Sequence, residues 1–149
     1  MSEQMVIDAS VAAKWFLRDP SEADTDVADD VLVAILAGDV EAHAPRLFTY
    51  EVCSALTKAC KMSRLAKETA RRCVHELFGL PIQISEANEE EGSQALTMAI
   101  DYSKTHYDMV YLRLAEMLDC QWCTGDHKVT MAAPPMYPRD RILLLSSLR

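Results

Sequence analysis

A chain of 149 residues is long enough to bury a sizeable core, and residues 1–149 are expected to form a single domain. Half of the residues are hydrophobic, yet no apolar run approaches the roughly 20 residues that a membrane-crossing helix needs. The formal net charge of −8 argues against a protein held to nucleic acid by bulk electrostatic attraction.

Val6-Ile7 reads as a short buried strand leading into Asp8. Ser10 is expected to cap a helix through Val11–Leu17, which Asp19-Pro20 ends. A second helix is expected from Ser21, with Val27, Val31, Ile35 and Leu36 at helical spacing and Gly38 closing it. Glu41–Ala44 is a weak strand stopped by Pro45. Leu47–Lys61 and Leu65–Phe78 follow as helices, and Pro81–Ser85 as a strand. Glu86–Ser103 reads as a helix whose early Glu89, Glu90 and Glu91 suit the positive end of its dipole. Tyr107-Asp108 opens a helix ending near Leu118, followed by a strand over Cys120–Thr124. His127–Ala133 is a short helix or turn, and Ile142–Leu145 a last strand.

Short apolar strands separated by helices indicate a three-layer α/β/α architecture around a mainly parallel sheet of about five strands. Right-handed crossovers put every strand's C-terminal end on one edge, where open α/β sheets bind ligands. Asp8 and Asp126 fall at that edge as strand-end residues. Glu51 and Asp108 lie near the starts of helices that begin there. Carboxylates at the ends of buried strands are costly unless something positive compensates them. Four that converge suggest a divalent-cation site.

Other acids fit the pattern less well. Glu116 lies about 12 Å along the helix from Asp108, too far to share one ion. Asp19, Asp24, Asp26, Asp29 and Asp30 read as a solvated helix start, and Asp101 is the nearest rival. Cys120 and Cys123 alternate along a strand and so point to opposite faces, which suits packing better than zinc. Five cysteines, an odd count, and a start lacking the regions of an export signal suggest reduced thiols in the cytoplasm. Residues 58–72 carry six bases (Lys58, Lys61, Arg64, Lys67, Arg71, Arg72) against Glu68 alone. Such a band reads as a solvated face or as a surface for a transient polyanion.

Val6-Ile7-Asp8-Ala9-Ser10 with Lys14-Trp15-Phe16, Glu51-Val52 with Ala55-Leu56, Tyr107-Asp108-Met109-Val110-Tyr111-Leu112, and Thr124-Gly125-Asp126 with Lys128 form an ordered set of motifs. In order and spacing the set resembles the PIN-domain family, and within it the VapC-type toxin ribonucleases of toxin–antitoxin pairs. The resemblance implies a PIN-like fold with Asp8, Glu51, Asp108 and Asp126 as the acidic quartet. Ser10 and Thr124 match hydroxyl residues beside the first and last acids, and these two with Lys128 are the expected substrate contacts. One position departs: where the family commonly has Asn in a Glu-Val-x-Asn-Ala-Leu run, this chain has Ser54.

Close carboxylates do not all ionise without a cation, and hard oxygen donors favour Mg²⁺ or Mn²⁺. The resemblance therefore implies a metal-dependent endoribonuclease leaving a 5′-phosphate and a 3′-hydroxyl. It further implies a small antitoxin partner and a homodimer, with no membrane involvement. A phosphatase with an aspartyl nucleophile would carry a second Asp two residues after Asp8, and position 10 is Ser. A PIN-like binding module without activity and an RNA-processing nuclease without an antitoxin stand as alternatives.

Overall fold

Strands β1 (Glu3–Ile7), β2 (Val40–Pro45), β3 (Ile82–Ser85), β4 (Gln121–Thr124) and β5 (Ile142–Leu144) pair in the order β3-β2-β1-β4-β5. They are seen in a computed structural model that describes residues 2–149. Every pairing is parallel, with Met5 opposite Ala42 on one side and Gln121 on the other. Val6 and Ile7 in the central strand are completely buried, as burial on both faces of a parallel sheet requires.

Helices α1 (Ala9–Phe16) and α2 (Thr25–Ala37) connect β1 to β2, and α3 (Leu47–Lys61) and α4 (Lys67–Gly79) connect β2 to β3. Helices α5 (Glu89–Tyr102) and α6 (His106–Leu118) carry the chain back from β3 to β4. The first two crossovers step one way along the sheet and the third returns, so right-handedness places α1–α4 on one face and α5–α6 on the other. Helix α6 packs against β1, β2 and β4 with α5 beside it, while α1 packs against α2 and α3. The core between the layers is built from Trp122, Tyr111, Phe48, Ile7 and Leu56. Strand order reverses between β1 and β4, which makes the C-terminal edge there the natural crevice of the fold.

Several boundaries differ from the sequence expectation for local reasons. Asp8, not Ser10, caps α1, its carboxylate accepting the Ser10 N–H at 2.9 Å. The start of α2 moves from Ser21 to Thr25 because Asp19 draws the Ser21 N–H and hydroxyl into a turn at 2.8 and 2.7 Å. Asp24 then takes a left-handed backbone conformation at φ 61°. Asn88 caps α5 through the Glu91 N–H at 2.9 Å, so that helix begins at Glu89 rather than Glu86. Helix α4 begins at Lys67 rather than Leu65, and Leu145 lies in a closing 3-10 turn rather than in β5.

Candidate active site

Asp8 is the first residue past β1, and packing leaves its carboxylate buried. One oxygen accepts the Ser10 N–H and the other accepts the Trp122 Nε1–H at 3.1 Å. Asp126 stands two residues past β4, in a turn held by hydroxyls. Ser10 Oγ accepts the Gly125 N–H at 2.9 Å, and Thr124 Oγ1 accepts the Asp126 N–H at 3.1 Å. The two hydroxyl oxygens lie 3.3 Å apart. Gly125 permits this close approach, since a Cβ there would stand 3.3 Å from Lys14 Cε. The Asp126 carboxylate accepts the Lys128 N–H at 3.0 Å and opens a 3-10 turn over His127–Thr130.

Glu51 comes one turn into α3, half-buried, and accepts the Tyr111 hydroxyl at 2.7 Å. Asp108 is the third residue of α6, whose first turn is capped by Thr105 through the Asp108 N–H at 3.1 Å. The four acids thus come from the end of β1, α3, α6 and the turn after β4, and they meet at the edge where strand order reverses.

Their electrostatics show that they share one environment. Burial raises the Asp8 carboxyl above its usual range, hydrogen bonds from Ser10 and Trp122 oppose this, and the charge of Asp126 adds to it. Burial likewise raises Glu51; the Tyr111 hydroxyl opposes the shift, and Asp8 and Asp108 add to it. Asp108 is raised by burial first and then by Asp8, with Thr105 opposing, Asp126 adding and Lys104 opposing. Among the described residues no salt bridge reaches any of the four. A hard divalent cation suits this donor set by charge: carboxylate oxygens only, mutually repelling and not salt-bridged to a cationic side chain among the described residues. Among the described residues no group of three or more His, Cys, Asp or Glu side chains stands close enough together to hold a metal ion, so a bound cation would have to draw these carboxylates inward.

The remaining candidates stand differently. Thr124 is fully buried, and its hydroxyl holds the Asp126 backbone, which removes it from direct contact with a substrate. Ser10 is half-buried, and its hydroxyl ties the β4 turn to α1. Lys128 is exposed beside Asp126. Glu116 is exposed and neighbours Arg141 and Arg113 rather than the acids, and Asp101 is exposed on α5. The five cysteines are free thiols, two of them buried.

Three residues in the surroundings were given no role of their own from the sequence. Tyr111 enters the sequence reading only as one letter of a motif and Trp122 only within a strand, and Lys104 does not enter it. Lys104 Nζ donates to the Lys128 carbonyl at 3.2 Å and to the Met131 carbonyl, so it ties the turn after Asp126 to the approach to α6. The six basic residues of the α3–α4 junction are all exposed, and among the described residues only Arg71 forms a salt bridge, with Glu68.

No protein-family profile and no curated protein sequence matches the chain. Solved structures do. PAE2754 from Pyrobaculum aerophilum is 18% identical over 98% of this chain and 86% of that one, with a TM-score of 0.70. The Klebsiella pneumoniae toxin–antitoxin complex contains a chain 12% identical over 95% of this chain and 97% of that one, with a TM-score of 0.59. VapC20 of Mycobacterium tuberculosis, a sarcin-ricin-loop-cleaving toxin, is 12% identical over 86% of this chain and 94% of that one, with a TM-score of 0.63. At these identities the likeness is one of fold, and the fold is the three-layer PIN-like one.

Proposed function

We propose, from the fold of a VapC-type PIN domain, that this chain is a divalent-cation-dependent endoribonuclease and the toxin of a toxin–antitoxin pair. The observation that carries this reading is the meeting of Asp8, Glu51, Asp108 and Asp126 at one sheet edge with no cationic side chain bridged to them. Asp8, Asp108 and Asp126 are the residues that would hold Mg²⁺ or Mn²⁺, with Glu51 coordinating or orienting water. Such an ion lowers the pKa of water, polarises phosphoryl oxygens and stabilises a leaving oxyanion.

The chain's own groups complete the reaction. The Lys128 ammonium, exposed next to Asp126, neutralises the phosphate being cleaved, and Ser10 holds the Asp126 turn in register with Asp8. Water delivered on the Glu51 side attacks in line and leaves a 5′-phosphate and a 3′-hydroxyl. The exposed bases of the α3–α4 junction offer contacts to the flanking RNA backbone. A toxin–antitoxin complex among the structural neighbours supports an antitoxin partner; a small one whose basic tail covers the cleft would suit its acidic charge. A single-domain chain, a homodimer and a cytoplasmic location belong to the same reading. Among the described residues no helix is long and apolar enough to cross a membrane.

The test is cleavage of labelled RNA by wild type, Asp8→Asn and Asp126→Asn in Mg²⁺, Mn²⁺ and chelator, with folding checked by circular dichroism. Cation-dependent cleavage that both folded variants lose is the expected result. Undiminished cleavage by either variant overturns the assignment. That no group of three or more His, Cys, Asp or Glu side chains among the described residues is placed to hold a metal ion favours one second reading, a PIN-like binding module without activity. Wild type that binds RNA but neither cation nor cleaves would establish it.

A further inference from the structure

Two of the four acids share a support that the proposed hydrolysis, on which this inference rests, does not itself specify. Tyr111 of α6 and Trp122 of β4 stack with ring centroids 5.7 Å apart and planes 8° apart, both almost wholly buried. Each ring carries one polar hydrogen and gives it to a different carboxylate. The Tyr111 hydroxyl donates to Glu51 at 2.7 Å, and Trp122 Nε1 donates to Asp8 at 3.1 Å.

A buried indole needs some acceptor, and a backbone carbonyl serves as well as any. Trp15 uses one, donating to the Ala28 carbonyl at 2.8 Å. Trp122 and Tyr111 instead hold acids of the cleft. A bond to one lone pair of a carboxylate stops its rotation and leaves further lone pairs for a cation. Because the rings are stacked inside a close-packed core, one donor does not shift without the other. The spacing of Asp8 and Glu51 is therefore set by a rigid aromatic pair.

We propose that Tyr111 and Trp122 are positioning residues that fix Asp8 and Glu51 as one unit for cation binding and hydrolysis, and that Trp122 emission reports the occupied cleft. The test titrates Mn²⁺ alone into chelator-stripped wild type, Tyr111→Phe, Trp122→Phe and Asp8→Asn, following heat and tryptophan emission, with kcat and KM on RNA measured alongside. Tyr111→Phe removes one oxygen and Trp122→Phe one donor. Both are expected to weaken Mn²⁺ binding about 10- to 100-fold and to lower kcat with KM unchanged. Trp122→Phe keeps Trp15 and should lose the Mn²⁺-dependent emission change.

A purely structural role would shift the melting temperature and leave Mn²⁺ affinity and kcat alone. That result in Tyr111→Phe overturns the proposal, even if Trp122→Phe fails to fold. Loss of binding and cleavage in Asp8→Asn, with both retained in Tyr111→Phe, overturns positioning but leaves the ribonuclease reading intact. Wild-type behaviour in Asp8→Asn overturns both.

Discussion

Ser10 Oγ accepts the Gly125 N–H across 2.9 Å, and so fastens the chain just past β1 to the chain just past β4. These strands are parallel neighbours at the point where strand order reverses. Asp8 lies two residues before Ser10, and Asp126 one residue after Gly125. With the Asp8 N–H bond to the Cys123 carbonyl at 2.9 Å, this hydroxyl holds together two cleft carboxylates that are far apart in sequence.

Replacing Ser10 with Ala leaves the half-buried Gly125 N–H without its acceptor. We expect a loss of about 1–3 kcal/mol in folding stability, read from denaturant unfolding, together with weaker RNA cleavage. Stability within about 0.3 kcal/mol of wild type, with full activity, would show that solvent replaces this bond and that the turn needs no clasp.

The raised carboxyls fix the sign of a pH effect in cation-free protein. Asp8, Glu51 and Asp108 each hold a proton more tightly folded than unfolded. The folded state therefore binds more protons between the ordinary carboxylate range and the raised values. Stability falls as pH rises through that window, and the penalty is complete only above the raised values. Asp108→Asn removes one charge from the repelling set, so its thermal midpoint should exceed that of wild type at pH 7. The gain should vanish below the ordinary carboxylate range. Thermal scans from about pH 2.5 to about pH 8 in chelator check this; a variant less stable at every pH would contradict it.

Lys104 combines a tether with a charge. Lys104→Met removes both bonds to the turn after Asp126 and the positive charge that holds the Asp108 carboxyl down. Cleavage is expected to fall about 10-fold, as for loss of an outer support of a metal site. The acid limb of the pH–rate profile should move to higher pH, because Asp108 then keeps its proton longer. An unmoved acid limb would show that the Lys104 charge is screened from the cleft.

Strands and acids were legible in the sequence because each acid follows or opens an apolar element, as Ile7-Asp8 and Thr124-Gly125-Asp126 show. Chain direction then put them on one edge. The start of α2 was not legible, since it depends on Asp19 capturing Ser21 and on the left-handed Asp24. Thr124 was expected at the substrate because the motif matched, yet β4 is buried on both faces from Trp122 onward and Thr124 is buried with it. Tyr111 and Trp122 were hidden for a related reason. A core aromatic looks the same in sequence whether its polar hydrogen meets a backbone carbonyl or a carboxylate. Lys104 is tied to the turn after Asp126 across more than twenty residues of sequence, a relation that no local pattern carries.

Calorimetric titration of chelator-stripped protein with Mn²⁺ tests the cleft most directly, with wild type compared to Asp126→Asn. The four-carboxylate account predicts saturable binding by wild type that the variant loses or weakens at least about 10-fold. No binding by wild type, or equal binding by both, would contradict it.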